Sequence, residues 1–98
     1  MIIALDYDGT YTEDPAFWNK FIDLAENHRV ICVTERWGNE KDAGILALQK
    51  RVGCVYFTQG QAKQEYMDEV GIRVDVWIDD APYFITNDWR KNEVSTNG

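Results

Sequence analysis

The groups that phosphate chemistry requires sit at a few positions of this 98-residue chain: Asp6, Asp8, Thr34, Lys63 and Asp79, with Asp80 beside the last. A carboxylate can attack phosphorus and form an acyl-phosphate, dividing one hard displacement into two easier ones. A second carboxylate can protonate the leaving oxygen and later activate water. A hydroxyl and an ammonium can neutralise the equatorial oxygens of the group in flight. Mg²⁺ takes oxygen ligands from one or two carboxylates and keeps several waters. A cation is also what allows Asp6, Asp8, Asp79 and Asp80 to lie close together, because clustered carboxylates repel one another.

These residues must be brought together by the elements around them. Ile2 to Leu5 is a short continuous apolar run, which predicts a strand covered on both faces. Asp14-Pro15 predicts a helix start, with Asp14 as N-cap and Pro15 at the first helical position. Phe17, Phe21 and Leu24, with Trp18, Ile22 and Ala25, form its apolar stripe, and the helix is expected to stop near Asn27-His28. Val30 to Val33 is a second buried strand. Asn39 and Asp42 resemble a capping box before a helix to about Val52, closed by Gly53. Cys54 to Thr58 is a third strand. Ala62, Tyr66 and Val70 mark a third helix that ends at Gly71. Ile72, Val74, Val76 and Ile78 alternate with polar or larger residues and predict a fourth strand. Tyr83 to Thr86 is read as a short fifth strand, and residues 87–98 as a short helix or frayed tail. Strict alternation of strand and helix predicts a three-layer α/β/α, Rossmann-like single domain over residues 1–98, with a parallel sheet of four or five strands. Every candidate residue then falls at the carboxyl edge of the sheet, where such folds place their ligands.

Composition narrows the classes. The chain is 45% hydrophobic and 28% charged, with a formal net charge of −7. That charge argues against non-specific binding to nucleic acid or to an anionic membrane. It would also repel a phosphate substrate unless a metal and a few local cations invert the field. Cys32 and Cys54 each lie in an apolar run and read as free, buried thiols. The N-terminal run is too short and too little basic for a leader or a membrane span, so the expected compartment is the cytoplasm.

The segment LDYDGT, residues 5–10, resembles the first motif of the haloacid dehalogenase superfamily. VTER resembles the second through Thr34, GQAK the third through Lys63, and WIDD the fourth through Asp79 and Asp80. The four occur in the family's order and span residues 2 to 80. The resemblance implies a Mg²⁺-dependent phosphatase or phosphotransferase working through an aspartyl-phosphate on Asp6. Asp6 would be nucleophile and metal ligand, and Asp8 the general acid/base with its carbonyl on the metal. Thr34 and Lys63 would hold phosphate. Asp79 would complete the metal site and Asp80 would support it. It also implies a sheet with the fourth strand beside the first. No cap domain fits between Thr10 and Pro15 or before Lys63. Capless members act on large substrates or borrow a lid from another subunit, so the expected partner is a bulky phosphorylated substrate. Nucleic acid enters only as a substrate end, and self-association stays open.

Taken singly, the same residues have plainer readings. An Asp at a strand end caps a turn, Thr34 is a β-branched strand residue, and Lys63 is a solvated helix start, although a cation there opposes the helix dipole. Arg36 and Trp37 read as a surface arginine and a core tryptophan, or else as a rim that contacts the leaving group. Glu13 and Asp14 are helix-start acids, and His28 has no catalytic role. Two other classes compete. A receiver domain also carries an Asp pair, Thr, Lys and Mg²⁺, but its acceptor Asp ends the third strand, where this chain has Thr58-Gln59. A catalytically silent interaction module would keep the fold and fail to bind Mg²⁺.

Overall fold

In the computed structural model, which describes residues 1–38 and 42–89, the apolar runs become the strands of one parallel sheet. The elements are β1 (Ile2–Leu5), α1 (Pro15–Leu24), β2 (Arg29–Thr34), α2 (Ala43–Val52), β3 (Val55–Phe57), α3 (Lys63–Glu69), β4 (Val76–Ile78) and α4 (Tyr83–Thr86). A 3₁₀ turn at Tyr11–Glu13 links β1 to α1. The sheet order is β3-β2-β1-β4, with every pairing parallel. Successive crossovers carry the chain from β1 out to β3, and the next returns it to the far side of β1. Strand direction of travel therefore reverses around β1, which places a ligand crevice at that strand's carboxyl end.

Two apolar clusters define the three layers. Ile3, Leu5, Val30 and Cys32 face one way, toward Ile45 and Leu48 of α2 and toward Trp18, Phe21 and Ile22 of α1. Ala4, Ile31 and Val33 face the other way, toward Met67 of α3. Alternate side chains of β1 and β2 thus enter opposite layers, as strands covered on both sides require.

The helix starts follow local chemistry. Asp14 accepts from the Phe17 N–H at 3.2 Å, with Pro15 just inside α1. Asp42 accepts from the N–H groups of Gly44 and Ile45 at 2.7 and 3.2 Å and is itself the N-cap of α2. Asn39, the expected start of a capping box, lies outside the described residues. α1 ends at Leu24, with Ala25 as C-cap, a few residues before Asn27. α3 has no side-chain cap from its own N-cap residue, Ala62. Asp88 instead reaches back from beyond α4 and accepts from the Ala62 N–H at 2.8 Å, while Trp89 N–H donates to the Gly60 carbonyl at 2.9 Å.

Two expectations are corrected. Tyr83–Thr86, the candidate fifth strand, is a helical turn, so the described sheet has four strands, the lower of the two expected numbers. Pro82 precedes that turn with φ −61°, the value a helix start needs, and an apolar run of four cannot by periodicity alone choose strand over helix. The alternation from Ile72 to Ile78 also does not make one long strand. Only Val76–Ile78 pairs with β1. Ile72 and Val74 pack with Met67 and Trp77 on one face, whereas Ile78 packs on the other, so the lead-in breaks the period of two. Among the described residues, no helix is long and apolar enough to cross a membrane.

Candidate active site

β1 and β4 are neighbours, so the residues that follow them meet. Asp6 N–H donates to the Ile78 carbonyl at 2.9 Å, which continues the β1–β4 ladder one residue past β1 and fixes Asp6 beside Asp79. Lys63, the first residue of α3, extends its ammonium between the two carboxylates. Its Nζ lies 2.8 Å from Asp6 Oδ1 and 2.5 Å from Asp79 Oδ2. Lys63 is 2% exposed and Asp6 7%. An ammonium so far from water is tolerated only because it is paired. Burial works against its charge, but the two carboxylates outweigh burial and hold the Lys63 pKa above its ordinary value.

Asp6 is balanced differently. Burial pushes its carboxyl up to about 7 despite the opposing pull of Lys63, and Asp79 and Asp80 add to the rise. Thr10 ties two of the acids together. Its Oγ1 lies 3.2 Å from both Asp6 Oδ2 and Asp80 Oδ1, and its single proton can serve one of them at a time. The same oxygen accepts from the Asp80 N–H at 3.2 Å. Asp79 is held by accepting from the Ala81 N–H at 2.9 Å.

One carboxylate oxygen from each of Asp6, Asp79 and Asp80 lies within 4.8 Å of the other two. Three hard oxygen donors, with a net negative charge beyond what Lys63 offsets, fit a small divalent cation such as Mg²⁺. Gly9 makes room for the third donor. It has φ +81°, and a Cβ there would come within 2.3 Å of Asp80 Oδ2.

Asp8 stands apart from this cluster. Its carboxylate accepts from Arg36 Nε at 2.8 Å and Nη2 at 2.7 Å, a two-pronged pair. Arg36 Nη1 also binds Asp42 Oδ2 at 2.9 Å, and the guanidinium lies over the Tyr7 ring at 5.1 Å. These contacts, led by Asp8, raise the Arg36 pKa. Asp42 is lowered by the Ile45 N–H and further by the Tyr7 hydroxyl. Arg36 is thus no simple surface arginine. Thr34 is buried at the end of β2, and its Oγ1 accepts from the Arg36 N–H at 3.4 Å.

Asp6, Asp8, Thr34, Lys63, Asp79 and Asp80 all line one cleft of about 430 Å³, together with Arg36 and Trp37. Trp37 is 54% exposed, which overturns its reading as a core residue. Sequence reasoning missed Thr10, Glu35, Phe84 and Trp89. Thr10 is the last residue of the LDYDGT segment and had no role of its own. Glu35 follows Thr34, and burial pushes its carboxyl up to about 7. Phe84 and Trp89 fall in the segment read as strand and tail, where periodicity carried no sign of a cleft wall. Comparison of the chain with family models, with curated proteins and with solved structures returned no match.

Proposed function

We propose that this chain hydrolyses or transfers phosphate monoesters with Mg²⁺, as a capless domain similar to the haloacid dehalogenase superfamily. The observation that supports this best is the Lys63 ammonium between Asp6 and Asp79, with a third carboxylate, Asp80, in the same cluster. Asp6, Asp79 and Asp80 are the side chains that would hold the cation, with the carbonyl of Asp8 as a further ligand. When bound, the cation would offset the charge of the acids and of the phosphate.

The rest falls to the chain's own residues. Asp6 attacks phosphorus, and the bond from phosphorus to the leaving oxygen breaks with its electron pair on that oxygen. Asp8, protonated, gives the leaving oxygen its proton. Water then attacks the aspartyl-phosphate, its proton passes to Asp8, and Asp6 and inorganic phosphate separate. Lys63 and the Thr34 hydroxyl steady the phosphoryl oxygens. Asp8 must leave Arg36 to act, since both its oxygens are engaged there. That clamp is the one observation favouring a second reading, a module that binds phosphate without turning it over. The free cysteines, Cys32 and Cys54, support a reducing compartment such as the cytoplasm.

The test is phosphate release from an aryl phosphate, with and without Mg²⁺, for wild type and Asp6→Asn. Mg²⁺-dependent turnover that disappears in Asp6→Asn is expected. Equal turnover in the variant would remove Asp6 as nucleophile. No turnover on any phosphate monoester, together with no Mg²⁺ binding, would favour the silent module.

A further inference from the structure

The cleft lining is of two kinds. One is the acidic cluster with Lys63. The other is aromatic, Trp37, Phe84 and Trp89. Trp37 and Trp89 keep 54% and 47% of their surface exposed, a costly state for indole rings in water. Neither stacks on another aromatic ring among the described residues. The main chain at both is held by the same loop after β3. Gln59 Nε2 donates to the Trp37 carbonyl at 3.5 Å, and the Trp89 backbone N–H donates to the Gly60 carbonyl at 2.9 Å. Wet, flat apolar rings lining the same cleft as the proposed phosphate site suit a substrate whose other end is a flat ring.

Charge narrows the substrate further. Among the described residues, the lining holds five acidic side chains, Asp6, Asp8, Glu35, Asp79 and Asp80, against the two cations Arg36 and Lys63. Arg36 is already engaged by Asp8 and Asp42. One divalent cation and Lys63 can serve a single phosphate. Among the described lining residues, no further cation is left for the extra charges of a di- or triphosphate or of a nucleic-acid backbone. A cleft of about 430 Å³ also suits a small molecule rather than a protein segment.

We infer that the cleft takes a nucleoside monophosphate, with its phosphate at Lys63 and its base against the indoles of Trp37 and Trp89. The inference rests on the phosphate-monoester reading and assigns that reading its substrate class. The products are the nucleoside and inorganic phosphate, with water supplying the oxygen that replaces the ribose oxygen on phosphorus.

The experiment measures kcat/KM with Mg²⁺ for AMP, ADP, ribose 5-phosphate and free phosphotyrosine, in wild type, Trp37→Ala and Trp89→Ala. AMP is expected to exceed ribose 5-phosphate by about tenfold or more, the scale of one base–aromatic stack, and to exceed ADP because of the extra charge that ADP carries. Each alanine variant should lose at least about fivefold more on AMP than on ribose 5-phosphate. Equal rates on AMP and ribose 5-phosphate in wild type would overturn the inference and leave the phosphatase reading standing. A preference for phosphotyrosine over AMP would replace the nucleoside by a simple aryl group and overturn it too. Absence of turnover on all four would count against the phosphatase reading instead. In that case calorimetric binding of AMP decides. Binding that weakens in Trp37→Ala sustains the stacking subsite, and no binding, or equal binding in both, removes it.

Discussion

At the scale of single residues, the site turns on how closely three acids are packed and on what permits it. Gly9 sits with φ +81° directly under the Asp80 carboxylate. Gly9→Ala would add left-handed strain of about 1 kcal/mol and drive a methyl into Asp80. Asp80 would move away from Asp6 and Asp79. The expected result is a lower Tm together with Mg²⁺ affinity reduced by about tenfold, read by calorimetric titration. Unchanged Mg²⁺ affinity in a folded Gly9→Ala protein would take Asp80 out of the cation site. The sequence made Asp6, Asp8, Thr34, Lys63 and Asp79 legible because carboxylate, hydroxyl and amine are rare at the ends of apolar runs. It did not reveal that Asp8 pairs with Arg36, or that Thr10 bridges Asp6 and Asp80. Those facts depend on side-chain directions in three dimensions, which spacing does not encode.

At the scale of elements, α3 is the one that delivers the central cation, and its start is not capped by its own N-cap residue. It has seven residues and a buried lysine at its first position, where the helix dipole disfavours positive charge. Its start is satisfied from outside, by Asp88. Asp88→Ala would leave the Ala62 N–H without this partner in a buried place. That should cost about 1–3 kcal/mol, seen as a Tm lower by roughly 5–15 °C. Because Lys63 follows Ala62, phosphatase activity under the proposed function should fall as well, and by more than in a control of equal Tm loss made far from the site. Loss of stability with no excess loss of activity would show that the strap does not position Lys63. β1 and α1 were readable because each carries a local signal, an unbroken apolar run or Asp-Pro. The Asp88 strap was not, since its partners are 26 residues apart. The short segments that failed, Tyr83–Thr86 and Ile72–Asp75, are those in which local periodicity is too brief to outweigh tertiary packing.

At the scale of the whole molecule, the central strands are sealed between two apolar layers, and that sealing has a signature in pH. Cys32 lies fully buried at the middle of β2, and burial pushes its thiol from 9.0 up to about 12. A group raised in the folded state contributes stability fully below its unfolded value and loses it as the pH climbs through the folded one. The window is therefore pH 9 to 12. Relative to Cys32→Ala, wild type should lose about 2 kcal/mol between pH 7 and pH 10.5, measured by urea unfolding of both proteins. A difference that stays constant with pH would mean that the Cys32 thiol ionises in the folded protein as readily as in the unfolded chain, so that burial does not raise it. The parallel order β3-β2-β1-β4 followed from alternation of strand and helix together with the family resemblance, because crossover rules leave few arrangements open.

The pairing of β4 with β1 also sets an order of events during synthesis. Asp6 leaves the ribosome among the first residues, and Thr34 and Lys63 follow, yet Asp79, Asp80 and the anchor Asp88 come only after most of the described fold has been made. A chain interrupted after α3 would hold a nucleophile and a lysine with too few carboxylates to capture a divalent cation. Under the proposed reading, unfinished copies are chemically inert. On that reading, the three carboxylates meet only when the last strand pairs with the first.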